Sequence, residues 1–335
     1  MNFIKRFIYF FYYIKETDYR QLLKFIKYVR YSAGKARLVI VIDIIQSVFK
    51  YNISIKDYFS FRFYEKTVEE RRKWAGSGFM YEYQLVMNPL KHRELLENKI
   101  RFLNHFRQYV SRKFCTLEEV IAGEEIIKNI LLNESGKAVL KGSRGQIGAE
   151  VEVIDCRDFH PETLLKYMIR KKYDLVEEYV IQHDGLMRLS PSGLNTIRVF
   201  TQLHSDKVEF LGARLRITVN SQVDNMAAGN PASPVELETG IVCGPGVFSD
   251  ITKEDVFFHP LTGEKIVGFQ IPYWKDVKDL AEKAALLTPE NKSVGWDIAI
   301  TNSGPELIEG NHNWCKSLWQ LPVKKGLKAE LEKYL

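Results

Sequence analysis

From about residue 120 the chain breaks into short runs rich in β-branched and apolar residues: AVLKG, EVEVID, LVEEYV, TIRVFTQL, VEFLGARLRITV, GWDIAI and PELIEG. Gly, Asn, Asp or Pro separates many of them, so they read as strands joined by turns. Residues 163–172 and 275–287 carry helical patterns between the strands. Before residue 120 the texture is charged and helical, and TVEERRKWAG offers Thr67 as an N-cap with Glu70 three residues on. This order predicts an α+β protein with a helical N-terminal region and a mostly antiparallel C-terminal part. At 335 residues there is material for roughly two domains or one elaborated one.

Charge is distributed unevenly. Residues 1–37 hold nine Lys and Arg against Glu16 and Asp18, a balance of +7, and the whole chain sums to +6, so the other 298 residues total −1. A nucleic-acid coat needs basic residues over the body, and they are absent there. The apolar run Phe7–Ile14 is far shorter than the ~20 residues that span a bilayer. It is tyrosine-rich and has no small-residue cleavage site, which argues against a signal peptide. From Tyr19 on, Leu22, Phe25, Ile26 and Val29 share one helical face, with Lys24, Lys27 and Arg30 elsewhere. Such a basic amphipathic helix fits either an anionic membrane surface or packing on its own protein. Residues 38–49, LVIVIDIIQSVF, read as a buried helix or strand. The four cysteines lie far apart, which excludes a zinc knuckle and fits reduced thiols better than a disulfide framework.

Chemistry-bearing residues fall in four stretches. In VLKGSRGQIGAEVEV a strand delivers Lys141, and Gly142, Gly145 and Gly148 punctuate the loop before another strand. The lysine precedes the glycines, so this is neither a P-loop nor a dinucleotide fingerprint. It fits a plain turn, or a hairpin flap whose backbone N–H groups close over phosphates above Lys141. In YDLVEEYVIQH, Glu177 and Glu178 alternate faces, so at most one points into a given pocket. Arg198, Arg214 and Arg216 lie within strand runs, where arginine needs solvent, a carboxylate or a phosphate. In GWDIAITNSGPELIEGNHNW, Glu309 and Asn311 share a strand face, and Asp297 sits on the preceding strand. If the two runs pair across TNSGP, three hard oxygen donors meet, a set suited to Mg²⁺ carrying a nucleotide. No Ser/His/Asp or Cys nucleophile arrangement is evident, and His312 is the one histidine close to these donors.

The sequence of a lysine with a Gly-rich flap, a later acidic strand, strand arginines and Asp…Glu-x-Asn resembles the ATP-grasp superfamily. LSPSGLNTIRVFTQL, ARLRI followed by VDNMAAGN, and VGWDIAIT…PELIEGNHNW look like the sugar-transfer-associated ATP-grasp family, related to α-L-glutamate ligases. The resemblance covers roughly residues 40–320 and implies an ATP-grasp fold, with nucleotide held between two α+β subdomains. It divides the chain into a basic segment 1–37, a helical region 38–120, a flap-bearing subdomain 121–185 and a metal-bearing subdomain 186–325. It implies that Lys99 and Lys141 hold the nucleotide phosphates, and that Gly142, Ser143, Gly145 and Gly148 belong to the flap. Glu177, Glu178, Tyr179 and Val180 would line the adenine and ribose side. Asp297, Glu309 and Asn311 would carry one or two Mg²⁺. Arg198 and Arg216 would stabilise an acyl-phosphate, with Asn195, Arg214, Asp224 and Asn225 toward the acceptor. The chain departs from the family in reading Lys141-Gly142 for Lys-Pro, and in keeping only Gly229 of a glycine pair.

The function so implied is an ATP-dependent carboxylate–amine ligase, joining an amino acid or other amine to a sugar acid of a capsule-like cell-surface polysaccharide. A sugar phosphotransferase and a non-catalytic, membrane-associated scaffold are the alternatives. The expected location is the cytoplasm, peripheral at the inner membrane face through residues 1–37, with no nucleic-acid partner.

Overall fold

The computed structural model describes residues 3–123, 125–144 and 151–335. Eight helices come first: α1 (Phe3–Lys15), α2 (Tyr19–Ser32), α3 (Arg37–Tyr51), α4 (Ile55–Ser60), α5 (Val68–Arg72), α6 (Ser77–Met87), α7 (Glu94–Glu97) and α8 (Lys99–His105). Their starts follow local side-chain chemistry. Thr67 and Glu70 form the expected capping box on α5, and Ser54 with Asp57 forms another on α4. The apolar face of α2 is turned inward: Phe25, Ile26 and Val29 are buried, and Phe25 packs its ring 5.6 Å from that of Phe59. Of the two roles open to this helix, packing on its own protein is therefore the one realised along that face. Residues 38–49 are helical and only half buried. Ile40, Ile44 and Val48 face the core, while Leu38, Ile42 and Ile45 face out.

Then follow β1 (Phe114–Thr116), α9 (Leu117–Ala122), α10 (Glu125–Leu131), β2 (Lys137–Lys141), β3 (Val151–Asp155), α11 (Pro161–Lys171), β4 (Leu175–Glu178) and α12 (Asp184–Leu189). The strands make an antiparallel sheet in the order β1-β4-β2-β3. The C-terminal part holds β5 (Ile197–His204), β6 (Lys207–Arg216), β7 (Ala232–Val235), α13 (Trp274–Leu286), β8 (Ser293–Thr301), β9 (Gly304–Asn311), α14 (Lys316–Gln320) and α15 (Lys328–Glu332). Its sheet is also antiparallel, in the order β7-β6-β5-β8-β9.

All seven runs read as strands are strands, and the two helical patterns are α11 and α13. Two strands have no counterpart in that reading. β1 is three residues long, and because it pairs with β4 a division at residue 120 would cut through the first sheet. β7 contains Pro234, which breaks the sequence signal but is tolerated because β7 lies at the sheet edge.

Alternation along the second sheet decides what can be functional. Ile197 and Val199 of β5, Ala213 and Leu215 of β6, and Trp296 and Ile298 of β8 join the core beneath Val277, Leu280 and Ala281 of α13. Each buried Val, Leu or Ile side chain contributes about 1.5–3 kcal/mol by leaving water, so the register is firmly fixed. Arg198, Arg214, Arg216 and Asp297 are thereby forced onto the opposite face.

Candidate functional site

Between the two sheets lies a cleft of about 530 Å³. The first sheet supplies Val139 and Lys141 from β2, Val151 and Val153 from β3, and Glu177 and Glu178 from β4, followed by Tyr179 and Val180. The second sheet supplies Arg198, Arg216, Asp297, Glu309 and Asn311. Lys99 at the start of α8 and the loop Asp224–Asn225 close the sides. A second cavity of about 730 Å³, under α1 and α2, is larger but lined mostly by apolar side chains. The convergent charges are in the cleft.

Cross-strand register builds its centre. Arg198 opposes Asp297 across β5–β8, and Asp297 opposes Glu309 across β8–β9, where a bulge follows Asp297. Arg198 donates to both Asp297 carboxylate oxygens, Nη2 to Oδ2 at 2.6 Å. Arg216 Nη1 donates to the same Oδ2 at 2.6 Å, and Arg216 Nη2 reaches Asp224 Oδ1 and Asn225 Oδ1, each at 2.6 Å. Asp224 is held in turn by the Thr196 N–H at 2.9 Å. Glu309 is less engaged: Arg198 lies 3.8 Å away, the Asn311 Nδ2 donates at 3.1 Å, and 44% of its side chain is open to the cleft.

The charges respond accordingly. Burial pushes the Asp297 carboxyl up, but Arg198 and Arg216 outweigh it and hold the group far below the usual range. Burial and the neighbouring Asp297 charge both push Glu309 up. Burial also raises Asp224, against the pull of Arg216. Formally, two guanidiniums face three carboxylates, so the set carries a net charge of −1 that favours a cation. Two carboxylates and an amide are a hard-oxygen set of the kind Mg²⁺ takes, with Glu309 the most accessible member. Both Asp297 oxygens already accept from arginine, so Asp297 would have to share them with an ion.

On the opposite wall Lys141 Nζ lies 2.9 Å from Glu177 Oε1. Arg112 Nε donates to Glu177 Oε2 at 2.5 Å, and Arg112 Nη1 donates to Glu306 Oε1 at 2.5 Å and to the Leu307 carbonyl at 3.0 Å. Burial raises the Glu177 pKa, yet Arg112 and Lys141 prevail and bring it down to about 2. Glu178 is tied to Lys113, whose N–H donates to it at 2.8 Å. The Lys99 ammonium donates to the Gly142 carbonyl at 3.2 Å, and its N–H to the Ser143 carbonyl at 2.8 Å. The two lysines therefore flank the segment that opens the Gly-rich loop.

The cleft thus gathers Lys99, Lys141, Glu177, Glu178, Tyr179, Val180, Arg198, Arg216, Asp224, Asn225, Asp297, Glu309 and Asn311. Gly142 and Ser143 sit behind it, Ser143 hydrogen-bonded to Asp174. Gly145 and Gly148 lie outside the described residues. Two residues expected on the acceptor side are placed elsewhere. Asn195 is wholly buried, donating to Gln182 at 2.9 Å and accepting from the Thr218 N–H at 2.8 Å. Arg214 shares a face with Arg198 but donates through Nε and Nη2 to the Trp319 carbonyl in the last turn of α14. No described carboxylate pairs with it, and burial pulls it down to about 10. It anchors a helix end rather than a ligand. Arg112 was not foreseen. In sequence it is one basic residue of VSRKF, and its partners lie 65 and 194 positions away.

A family model described as sugar-transfer associated ATP-grasp matches residues 79–334. None of the curated proteins matches the chain. Among solved structures, it is similar at 13% identity and a TM-score of 0.43 to the ATP-grasp ligase PsnB complexed with a phosphomimetic variant of its minimal precursor, Mg and ADP. That similarity covers 77% of this chain and 66%, just under two thirds, of PsnB. A RimK domain ATP-grasp protein from Sphaerobacter thermophilus aligns at 15% identity and a TM-score of 0.38, over 71% of this chain and 69% of that one. D-cycloserine synthetase DcsG aligns at 11% identity and a TM-score of 0.43, over 83% and 82%. The family match spans most of the chain, both sheets and the whole cleft. This chain, with its two antiparallel sheets, has an ATP-grasp fold and belongs to the sugar-transfer associated ATP-grasp family.

Proposed function

We propose that this protein is an ATP-dependent carboxylate–amine ligase that works through an acyl-phosphate. The observation that carries the reading is that Lys141 and Glu309, from different sheets and far apart in sequence, open onto one cleft with Arg198 and Arg216. Lys99 and Lys141 bind the triphosphate, with Tyr179 and Val180 beside the base. Glu309, Asn311 and Asp297 would hold Mg²⁺, one or two ions, which when bound supplies charge neutralisation for the phosphates. A substrate carboxylate oxygen attacks the γ-phosphorus and ADP leaves; an amine nitrogen then attacks the acyl carbon, phosphate leaves and takes up the proton the nitrogen sheds, forming an amide. Arg198 and Arg216 are fixed by Asp297 before substrate arrives, so their donors need no reorganisation as negative charge develops. Residues 121–185 together with β1, and residues 186–325, are the two jaws in this reading.

The family description supports a sugar context, and a sugar acid of a cell-surface polysaccharide is the proposed carboxylate, with an amino acid or similar amine as its partner. The proposed location is the cytoplasmic face of a membrane, where a lipid-linked or nucleotide-linked acceptor is found. The charge of residues 1–37 supports it, and no helix among the described residues is long and apolar enough to cross a membrane.

The test is phosphate release from Mg-ATP with pooled amino acids against pooled uronic acids or their nucleotide sugars. Amine-dependent phosphate release with an amide product is expected, and Glu309→Gln should lower turnover by about 100-fold or more with folding intact. Phosphate retained on the acceptor would identify a phosphotransferase instead. An absence of any Mg-ATP binding would leave a scaffold.

A further inference from the structure

Two N-terminal helices, α1 and α3, carry eight of the exposed large apolar side chains, Phe11 and Leu38 among them. Along α3, Leu38, Ile42 and Ile45 recur at helical spacing and are 70%, 46% and 41% exposed, although the opposite face of the same helix is core. One turn beyond Ile45, Phe49 carries the Phe7 ring of α1 at 5.0 Å, and Phe11, one turn further along α1, is 65% exposed. The stripe therefore runs across both helices without a break. Solvated apolar stripes of this kind mark an interaction surface.

We propose that this stripe docks the protein on an anionic lipid bilayer, with α1 and α3 lying in the plane of the headgroups. The inference deepens the membrane placement proposed for the ligase and rests on it for its purpose, but not for its physics. Charge selects the occupant. The segment bearing α1 and α2 and leading into α3 has a balance of +7, whereas the rest of the chain sums to −1. Lys5, Lys15, Arg37 and Lys50 on α1 and α3 are all exposed. The one acid on α3, Asp43, is turned inward onto Arg71, at 2.6 and 2.8 Å, and the Tyr58 hydroxyl, at 2.7 Å. The face thus offers apolar side chains ringed by cations and no carboxylate of its own on α3. Anionic headgroups above an acyl layer match that pattern. Helices of 13 and 15 residues lie on such a surface rather than cross it.

The experiment is co-sedimentation of the full chain with vesicles of phosphatidylcholine alone or mixed equally with phosphatidylglycerol. About tenfold stronger partition into the anionic vesicles is expected, falling with added salt. Phe11→Ser, Leu38→Ser and Ile42→Ser together should lower it about tenfold, as should Lys5→Glu, Arg37→Glu and Lys50→Glu together. Phe257→Ser with Phe258→Ser, two exposed aromatics elsewhere, should not change it. Stabilisation by Mg-ATP, unchanged in every variant, reports an intact fold and nucleotide site independently of vesicles. Equal partition into both vesicles, or partition indifferent to the stripe variants, overturns the proposal. So does a wild-type dimer that ignores vesicles and that the stripe variants convert to monomer. A ligase active in solution that never binds vesicles would sink this inference and leave the proposed chemistry standing.

Discussion

Glu177 serves two cations from inside the protein. Its carboxyl is driven up by burial and brought down by Arg112 and Lys141 to about 2, from an ordinary 4.5. A depressed acid contributes stability above its unfolded pKa and loses it as pH falls through the folded one, because the unfolded chain then binds the extra proton. The window is therefore pH 4.5 down to 2, and the size is on the order of 3 kcal/mol. Urea unfolding of wild type and Glu177→Gln should show a stability gap at neutral pH that narrows by up to about that amount near pH 2.5. Half of this was legible: alternation says that at most one of Glu177 and Glu178 points into a given pocket, and although both border the cleft it is Glu177 that is buried against Lys141. The other half, Arg112, was invisible because a lone arginine in VSRKF has no local pattern to distinguish it from a solvated one.

Among the elements, Arg112 is a buried contact that ties one sheet to the other. It precedes β1, pairs with Glu177 on β4 and reaches Glu306 and the Leu307 carbonyl on β9. Removing it leaves buried Glu177 with Lys141 alone and buried Glu306 with the Ser111 hydroxyl and no described cation, so Arg112→Ala should cost about 3–5 kcal/mol in urea unfolding. Removing Glu306 as well should restore part of that loss, and the double-mutant cycle should give a coupling energy of about 1–3 kcal/mol. The strands themselves were readable from short β-branched runs between turn residues. β7 was not, because Pro234 breaks the strand signal; on this edge strand the proline carbonyl accepts from the Cys243 N–H outside the sheet, so its missing N–H costs the β6–β7 ladder nothing. The partition of α3 into a core face and a solvent face was unreadable for a different reason. Its polar residues Asp43, Gln46, Ser47 and Lys50 gather on one side, yet Ser47 is buried and Leu38 is exposed, so periodicity shows a broad apolar arc without saying which part of it packs.

At the scale of the molecule, the cleft exists only because two antiparallel sheets face each other, and a nucleotide between them would contact both. Saturating Mg-ATP should therefore stabilise the protein as a whole, by about 2.7 kcal/mol at a concentration 100-fold above Kd. A rise in Tm that is abolished by omitting Mg²⁺ is the expected readout in a thermal melt. Sequence alone determined the strand runs other than β1 and β7, the hairpin that pairs Asp297 with Glu309, and the ordered set of cations and hard oxygens, since each follows from spacing along one or two adjacent elements. Tertiary structure alone decided that Arg214 caps α14 instead of lining the cleft, that Asp297 is held by two arginines, and which helix faces stay in water. Those outcomes depend on partners scores of residues away, brought near by packing, and no local pattern encodes a distance that the fold has yet to close.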